Sequence, residues 1–333
     1  MQNLLVARNV RIAETPVPDR DADNAIRWSE RVTIAFLFYS VVVAVILPVP
    51  PSVRNLVFLI NSAVILTYGL LIGLDSDRRT RVIGPIRDWL LLGLTLLAYR
   101  EMGWFALPHQ GHALEAHWVI WDRAVLHGGV KAAIEAFGPV LPAVLEIAYG
   151  LVYALAPFAV AMLYLYRRRD RVERFLFIFA LGVLLAYAQY PWWPSEPPRV
   201  VFFGEDLPAY ATVFRRFNLW LLGNCGIHTS VFPSGHVAAA FSTFFGMRQA
   251  LPERKWVSRF LFVMAVLIAV ATVYGRYHYL ADAAAGFAVS VFALALNAVL
   301  QGNWRRKAVT APLLRQVTVC RQAVQQNPTC DCR

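Results

Sequence analysis

The sequence is short of charge. Of its 333 residues only 16% are Asp, Glu, Lys or Arg while 58% are hydrophobic, a balance that a soluble core of this size does not need. Cysteine is scarce too, and Cys225, Cys320, Cys330 and Cys332 form no pattern that reads as a disulfide framework. The Cys330 and Cys332 pair lacks the further ligands of a metal site and is assigned no role. There is no internal repeat and no low-complexity tract, so a solenoid or a fibrous chain is excluded. The first 30 residues mix Arg and Asp without a small-residue cleavage site after a short apolar stretch, and no cleaved signal is expected.

What the chain has instead is long apolar runs. A membrane-spanning helix needs about 20 mostly apolar residues. Eight segments approach this, at 32–47, 56–74, 89–105, 144–166, 175–190, 233–247, 260–274 and 283–300. The expected fold is all-α, a polytopic membrane protein of about eight transmembrane helices. A cytoplasmic segment at 1–31 precedes a two-helix extension at 32–88, then a six-helix core at 89–300 and a cytoplasmic tail at 301–333.

The net charge of +11 is read through the same lens. Basic residues gather on cytoplasmic loops of membrane proteins, so a high charge here calls for no nucleic acid. With both termini inside, 24 of the 32 Lys and Arg residues fall on the inner side. Such loops suit anionic lipid head groups.

Two long outer segments interrupt the core, at 106–142 and 191–232, and loops of that length are usually functional or disordered. The first carries Trp118 and Trp121 in a stretch suited to an interfacial helix. All seven histidines, His109, His112, His117, His127, His228, His236 and His278, fall on this outer side. For the first four the plain reading is tolerance of any aqueous loop.

His236 and His278 have more telling neighbours. Pro233-Ser234-Gly235-His236 stands where the sixth span begins, with Pro suited to a first helical turn and Gly to close backbone approach. Helix N-termini offer free N–H groups and positive dipole to phosphate oxygens. The alternative is an ordinary capped helix start. His278 and Asp282 are four apart, on one helical face if the eighth helix extends back that far. A carboxylate beside an imidazole fixes its tautomer and sharpens the other nitrogen as a nucleophile. Asp282 as a surface cap is the alternative. A third element is the proline-stiffened stretch that ends at Arg199, a cation suited to two parallel bonds with phosphate.

Together, Pro233-Ser234-Gly235-His236 and His278-x-x-x-Asp282 resemble the type 2 phosphatidic acid phosphatase superfamily. The resemblance covers roughly the last six spans. It departs at the first motif, where Pro197-Pro198-Arg199 has no Lys at the matching distance, and at the third, where Ala271 and Thr272 stand in place of Ser-Arg. Arg276 stands two before His278 to supply charge. This thinning, with His278-Tyr279, resembles the branch of inositol phosphorylceramide synthases and their bacterial relatives.

The resemblance implies a metal-free, cofactor-free lipid-phosphate phosphatase or phosphotransferase on the extracytoplasmic face of the cell membrane. His278 would attack phosphorus to form a phosphohistidine, Asp282 would orient it, and His236 would protonate the leaving alkoxide. Arg199, Arg276, Ser234 and Gly235 would hold the phosphoryl oxygens. The substrate would be a phospholipid, a polyprenyl phosphate or diphosphate, or a phosphoinositol lipid. Two rivals stand beside this reading. A transporter or channel would place ionisable residues at mid-membrane, where Glu146 is the main exception to spans poor in them. A metal-dependent hydrolase would use His109, His112, His117 and Glu115, whose spacing fits no metal helix pattern well.

Overall fold

The computed structural model describes residues 26–76, 82–105, 111–227, 229 and 231–300. The expectations for the first 25 residues, Arg78, Arg79, Arg81, His109, His228 and the tail with its three cysteines lie outside the described residues. Within them the chain is helical, with no strand. The helices are α1 (Trp28–Ile46), α2 (Pro51–Ser76), α3 (Ile83–Phe105), α4 (Ala113–Val125), α5 (Lys131–Glu135), α6 (Val140–Gly150), α7 (Val152–Leu165), α8 (Val172–Tyr187), α9 (Pro198–Val201), α10 (Val213–Cys225), α11 (Gly235–Ala250) and α12 (Lys255–Tyr274). The last, α13, runs Leu280–Leu300.

This is an all-α polytopic membrane protein. Among the described residues α1, α2, α12 and α13 are long and apolar enough to cross a membrane, and a fifth span is possible if the sharply bent stretch from α4 to α6 is one. All eight segments expected from the sequence lie on helices, yet the lengths do not show eight spans. α8 and α11 have 16 residues each, and α3 carries Arg87, Asp88, Arg100 and Glu101. The segment at 144–166 is two helices, because the backbone breaks at Leu151 between α6 and α7. The expected boundary at 88/89 falls inside α3.

At the centre, α11 packs against α8, α12 and α7. Its small residues Ala238, Ala240 and Gly246 are buried and let neighbouring backbones approach, as packing within lipid favours. Across from it, a side chain at Gly182 on α8 would collide with Ser242 on α11, its Cβ falling 2.0 Å from the hydroxyl oxygen. α1 packs on α8, α2 and α3, so the first hairpin is attached to the core.

Polar pairs fasten that attachment. Arg87 on α3, fully buried, grips Glu30 of α1 through two bonds of 2.7 Å and reaches Asp75 of α2 at 2.6 Å. Asp88 accepts from Arg27 and from the Tyr164 hydroxyl, each at 2.5 Å. Ser29 donates both its N–H and its hydroxyl to Glu173. Deeper in the hairpin, Ser40 donates to buried Glu101 at 2.7 Å.

Candidate active site at the opposite helix ends

The two sequence motifs meet where α11 and α13 begin. Phe232–Pro233 is a cis peptide, and Pro233 lies just outside the helix, so it is not the first-turn proline that its type suggested. Ser234 is the N-cap, and its side chain accepts from the Val237 N–H. Its own N–H donates to the Asp282 carbonyl at 2.9 Å, which joins the two motifs through backbone. Gly286 makes this contact possible: a Cβ there would lie 2.4 Å from the Ser234 carbonyl oxygen.

His278 does not sit on a helix. It lies in the turn between α12 and α13, with its N–H bonded to the Thr272 carbonyl at 3.0 Å. The expected helical face shared with Asp282 is replaced by a turn that folds the imidazole back onto the first turn of α13. Asp282 Oδ2 accepts the Tyr279 N–H at 2.9 Å, a carboxylate at the third helical position capping its own helix. The His278 Nδ1 lies 3.4 Å from that same oxygen, in ion-pair range but outside hydrogen-bond geometry. Asp282 Oδ1 has no partner. Asp282 thus caps its own helix, and its approach to His278 is a 3.4 Å contact without a hydrogen bond.

His278 is 6% exposed and thus a buried group. Burial pushes its pKa down to about 3; the Arg199 cation adds to this and a backbone bond to Val231 opposes it. At neutral pH it is an uncharged imidazole.

His236, in the first turn of α11, faces it with ring centroids 5.6 Å apart. Its Nε2 is buried without a partner. The ring stacks on Tyr149 of α6 at 4.6 Å, and Tyr149 stacks in turn on Tyr277 at 4.1 Å. Tyr277 is fixed by donating to Glu146 Oε2 at 2.6 Å, and Glu146 also accepts from Arg215 at 3.0 Å and Asn218 at 2.7 Å. Glu146, the exception among the spans, is thus bound in a buried network that braces the aromatic stack. Nothing near them in the chain marked Tyr149, Arg215 and Asn218.

Arg199 is on the short α9, its cation 5.7 Å from the Tyr277 ring centroid, and its N–H bonds the Arg276 carbonyl at 3.3 Å. Burial lowers its pKa, the neighbouring tyrosines opposing this. Arg276, fully buried, has a positive φ of 60° and gives Nη1 to Asp122 Oδ2 at 2.6 Å. Its Nε and Nη2 make no hydrogen bond. His112 lies 3.7 Å from Glu115, and His117 bonds a carbonyl of its own helix. No group of three or more metal-ligating side chains assembles among the described residues.

From His236 a cavity of about 260 Å³ runs between α3, α7 and α8, lined by Leu92, Leu96, Tyr99, Val152, Phe179 and Tyr190 among others. It has a polar end at the histidine and mainly apolar walls.

Comparison with known proteins bears on the same stretch. A family model described as the PAP2 superfamily matches residues 117–296, from within α4 nearly to the end of α13. A PA-phosphatase related-family protein of Dictyostelium discoideum is 29% identical over 129 residues, 37% of this chain and 21% of that protein. The match thus spans about a fifth of that relative. No solved structure matches the chain.

Proposed function

Because that model covers more than half of the sequence, the chain belongs to the PAP2 superfamily, and on that premise we propose that it is a membrane phosphatase or phosphotransferase acting on the phosphate of a lipid. The observation that carries this is the facing pair of imidazoles, 5.6 Å apart between centroids, with Asp282 behind one of them.

His278 is the nucleophile. With Asp282 3.4 Å from Nδ1, Nε2 is the attacking atom once it leaves its bond to the Val231 backbone. The N–P bond forms as the P–O bond to the alcohol breaks, and His236, which takes up a proton as the anionic phosphate enters beside it, gives that proton to the departing oxygen. Water or a second alcohol then attacks phosphorus, His236 takes back a proton, and the N–P bond breaks. Arg199 and the N–H groups at the start of α11 hold the phosphoryl oxygens. Arg276, bound through Nη1 to Asp122 and with Nη2 3.9 Å from Asp206, adds background positive charge to the site.

The apolar cavity beside His236 fits the hydrocarbon part of such a substrate, a phospholipid, polyprenyl phosphate or phosphoinositol lipid. The Arg-rich loops, read by the positive-inside rule, support a site on the extracytoplasmic face with both termini in the cytoplasm.

The test is incubation of purified protein with a panel of phosphate-bearing lipids, with and without alcohol acceptors, beside His278→Ala. Free phosphate from wild type alone marks a phosphatase, and an acceptor-dependent phospholipid marks a transferase. Turnover retained by His278→Ala contradicts the assignment.

A further inference from the structure

α4 turns a polar face inward. Glu115, Trp118, Val119 and Asp122 are buried at one-turn spacing, while Ile120 and Trp121 are exposed. Of these, Asp122 is fully buried and uses both oxygens. Oδ1 accepts the Leu280 N–H at 2.7 Å, and Oδ2 accepts Arg276 Nη1 at 2.6 Å. These two donors stand on either side of His278, two residues before it and two after.

Each donor needs help that its own helix does not give. Leu280 opens α13, and the first N–H groups of a helix have no intrahelical acceptor. Arg276 sits in the left-handed region, where a residue with a β-carbon is strained and persists only if its surroundings hold it. One carboxylate from a different element therefore pins both ends of the five-residue turn that carries His278. The same helix reaches the other motif as well. Trp118, one turn earlier, stacks on Phe232 at 5.1 Å, and Phe232 leads directly into Pro233-Ser234-Gly235-His236.

We propose that Asp122 is a positioning residue for His278, setting its place relative to His236 and Asp282 by anchoring Arg276 and Leu280. This rests on the reading of His278 as nucleophile. Asp122 itself touches no reacting atom. It acts by holding the attacking nitrogen in line, and misplacement of a reacting group by about 1 Å can cost on the order of 100-fold in rate.

The experiment uses the full chain in detergent with phosphatidic acid micelles as probe, following phosphate release and the unfolding midpoint. D122N keeps the shape and an acceptor for Leu280 but takes from Arg276 its hydrogen-bonded counter-charge, leaving only Asp206 at 3.9 Å. It is expected to lower kcat on the order of 100-fold per folded molecule with KM changed by less than about threefold. R276Q is expected to show the same pattern, and the double variant D122N/R276Q to regain at least about tenfold over D122N, because it leaves no buried cation unpaired. A purely structural role would lower the midpoint and the folded yield while kcat per folded molecule stayed at the wild-type value, and that result overturns the proposal. So does R276Q with normal kcat and raised KM, which would make Arg276 a substrate ligand only. If D122N does not accumulate folded, D122E, which keeps the charge but displaces the carboxylate, is read for the same loss of kcat at near-constant KM, and wild-type kcat in D122E overturns the proposal. His278→Ala in parallel separates the two failures: an active His278→Ala removes the underlying reading, whereas an inactive one beside a fully active D122N removes only the role of Asp122.

Discussion

The imidazole of His278 is kept neutral by burial, and this has a cost at low pH. A free histidine titrates near 6.5, whereas burial holds this one down to about 3. Between these values the unfolded chain binds a proton that the folded chain refuses, so stability rises with pH across that window. His278→Gln is expected to flatten the rise of the unfolding midpoint between about pH 4 and pH 6.5. Equal slopes for wild type and variant would contradict it. His236→Ala removes the proton donor, and the loss on phosphatidic acid is expected at about 100- to 10,000-fold. An activated ester such as p-nitrophenyl phosphate, whose leaving group needs no proton, is expected to recover much of it. Equal loss on both substrates would remove the acid role. The motif residues were legible in the sequence because each is marked by near neighbours. Asp122 and Glu146 were not, since their bonds to Arg276, Leu280 and Tyr277 join positions 154, 158 and 131 residues apart.

Among the elements, the junction of α11 and α13 is the tightest part of the site. Gly286→Ala would drive a methyl into the Ser234 carbonyl and against Val237 and Ala238. Overpacking of this kind costs about 1–3 kcal/mol, and here it would also part the two motifs. Lower stability together with lower kcat is expected, read by unfolding midpoint and phosphate release. Gly69→Ala on α2, with nothing within 4 Å of its Cβ, serves as the neutral control. Full activity in Gly286→Ala would show that the contact does not set the site. The longer core helices were legible from apolar runs, since composition marks what is buried in lipid, whereas α10, inside the expected outer segment 191–232, was not. Nor were breaks. The stretch at 144–166 is apolar apart from Glu146 and reads as one run even though Gly150 stands next to the break at Leu151, and the start of α13 at Leu280 depends on a turn that the His-x-x-x-Asp spacing disguises as helix.

Over the whole molecule, the Arg87 network and the histidine site lie at opposite ends of α8, near Glu173 and Tyr187 respectively. The first hairpin is thereby fastened to the core far from the chemistry. Arg87→Ala would leave Glu30 buried without its main partner, and removing one member of a buried pair costs about 3–5 kcal/mol. The expected result is a sharp fall in unfolding midpoint with kcat unchanged per folded molecule; a midpoint like that of wild type would contradict it. The central claim is tested most directly by trapping the intermediate. Wild-type protein mixed with lipid carrying labelled phosphate and quenched in alkali is expected to hold label that survives base and is released by acid, and His278→Ala is expected to hold none. Label that persists in His278→Ala, or turnover with no labelled protein at any time, would contradict a phosphohistidine at this position.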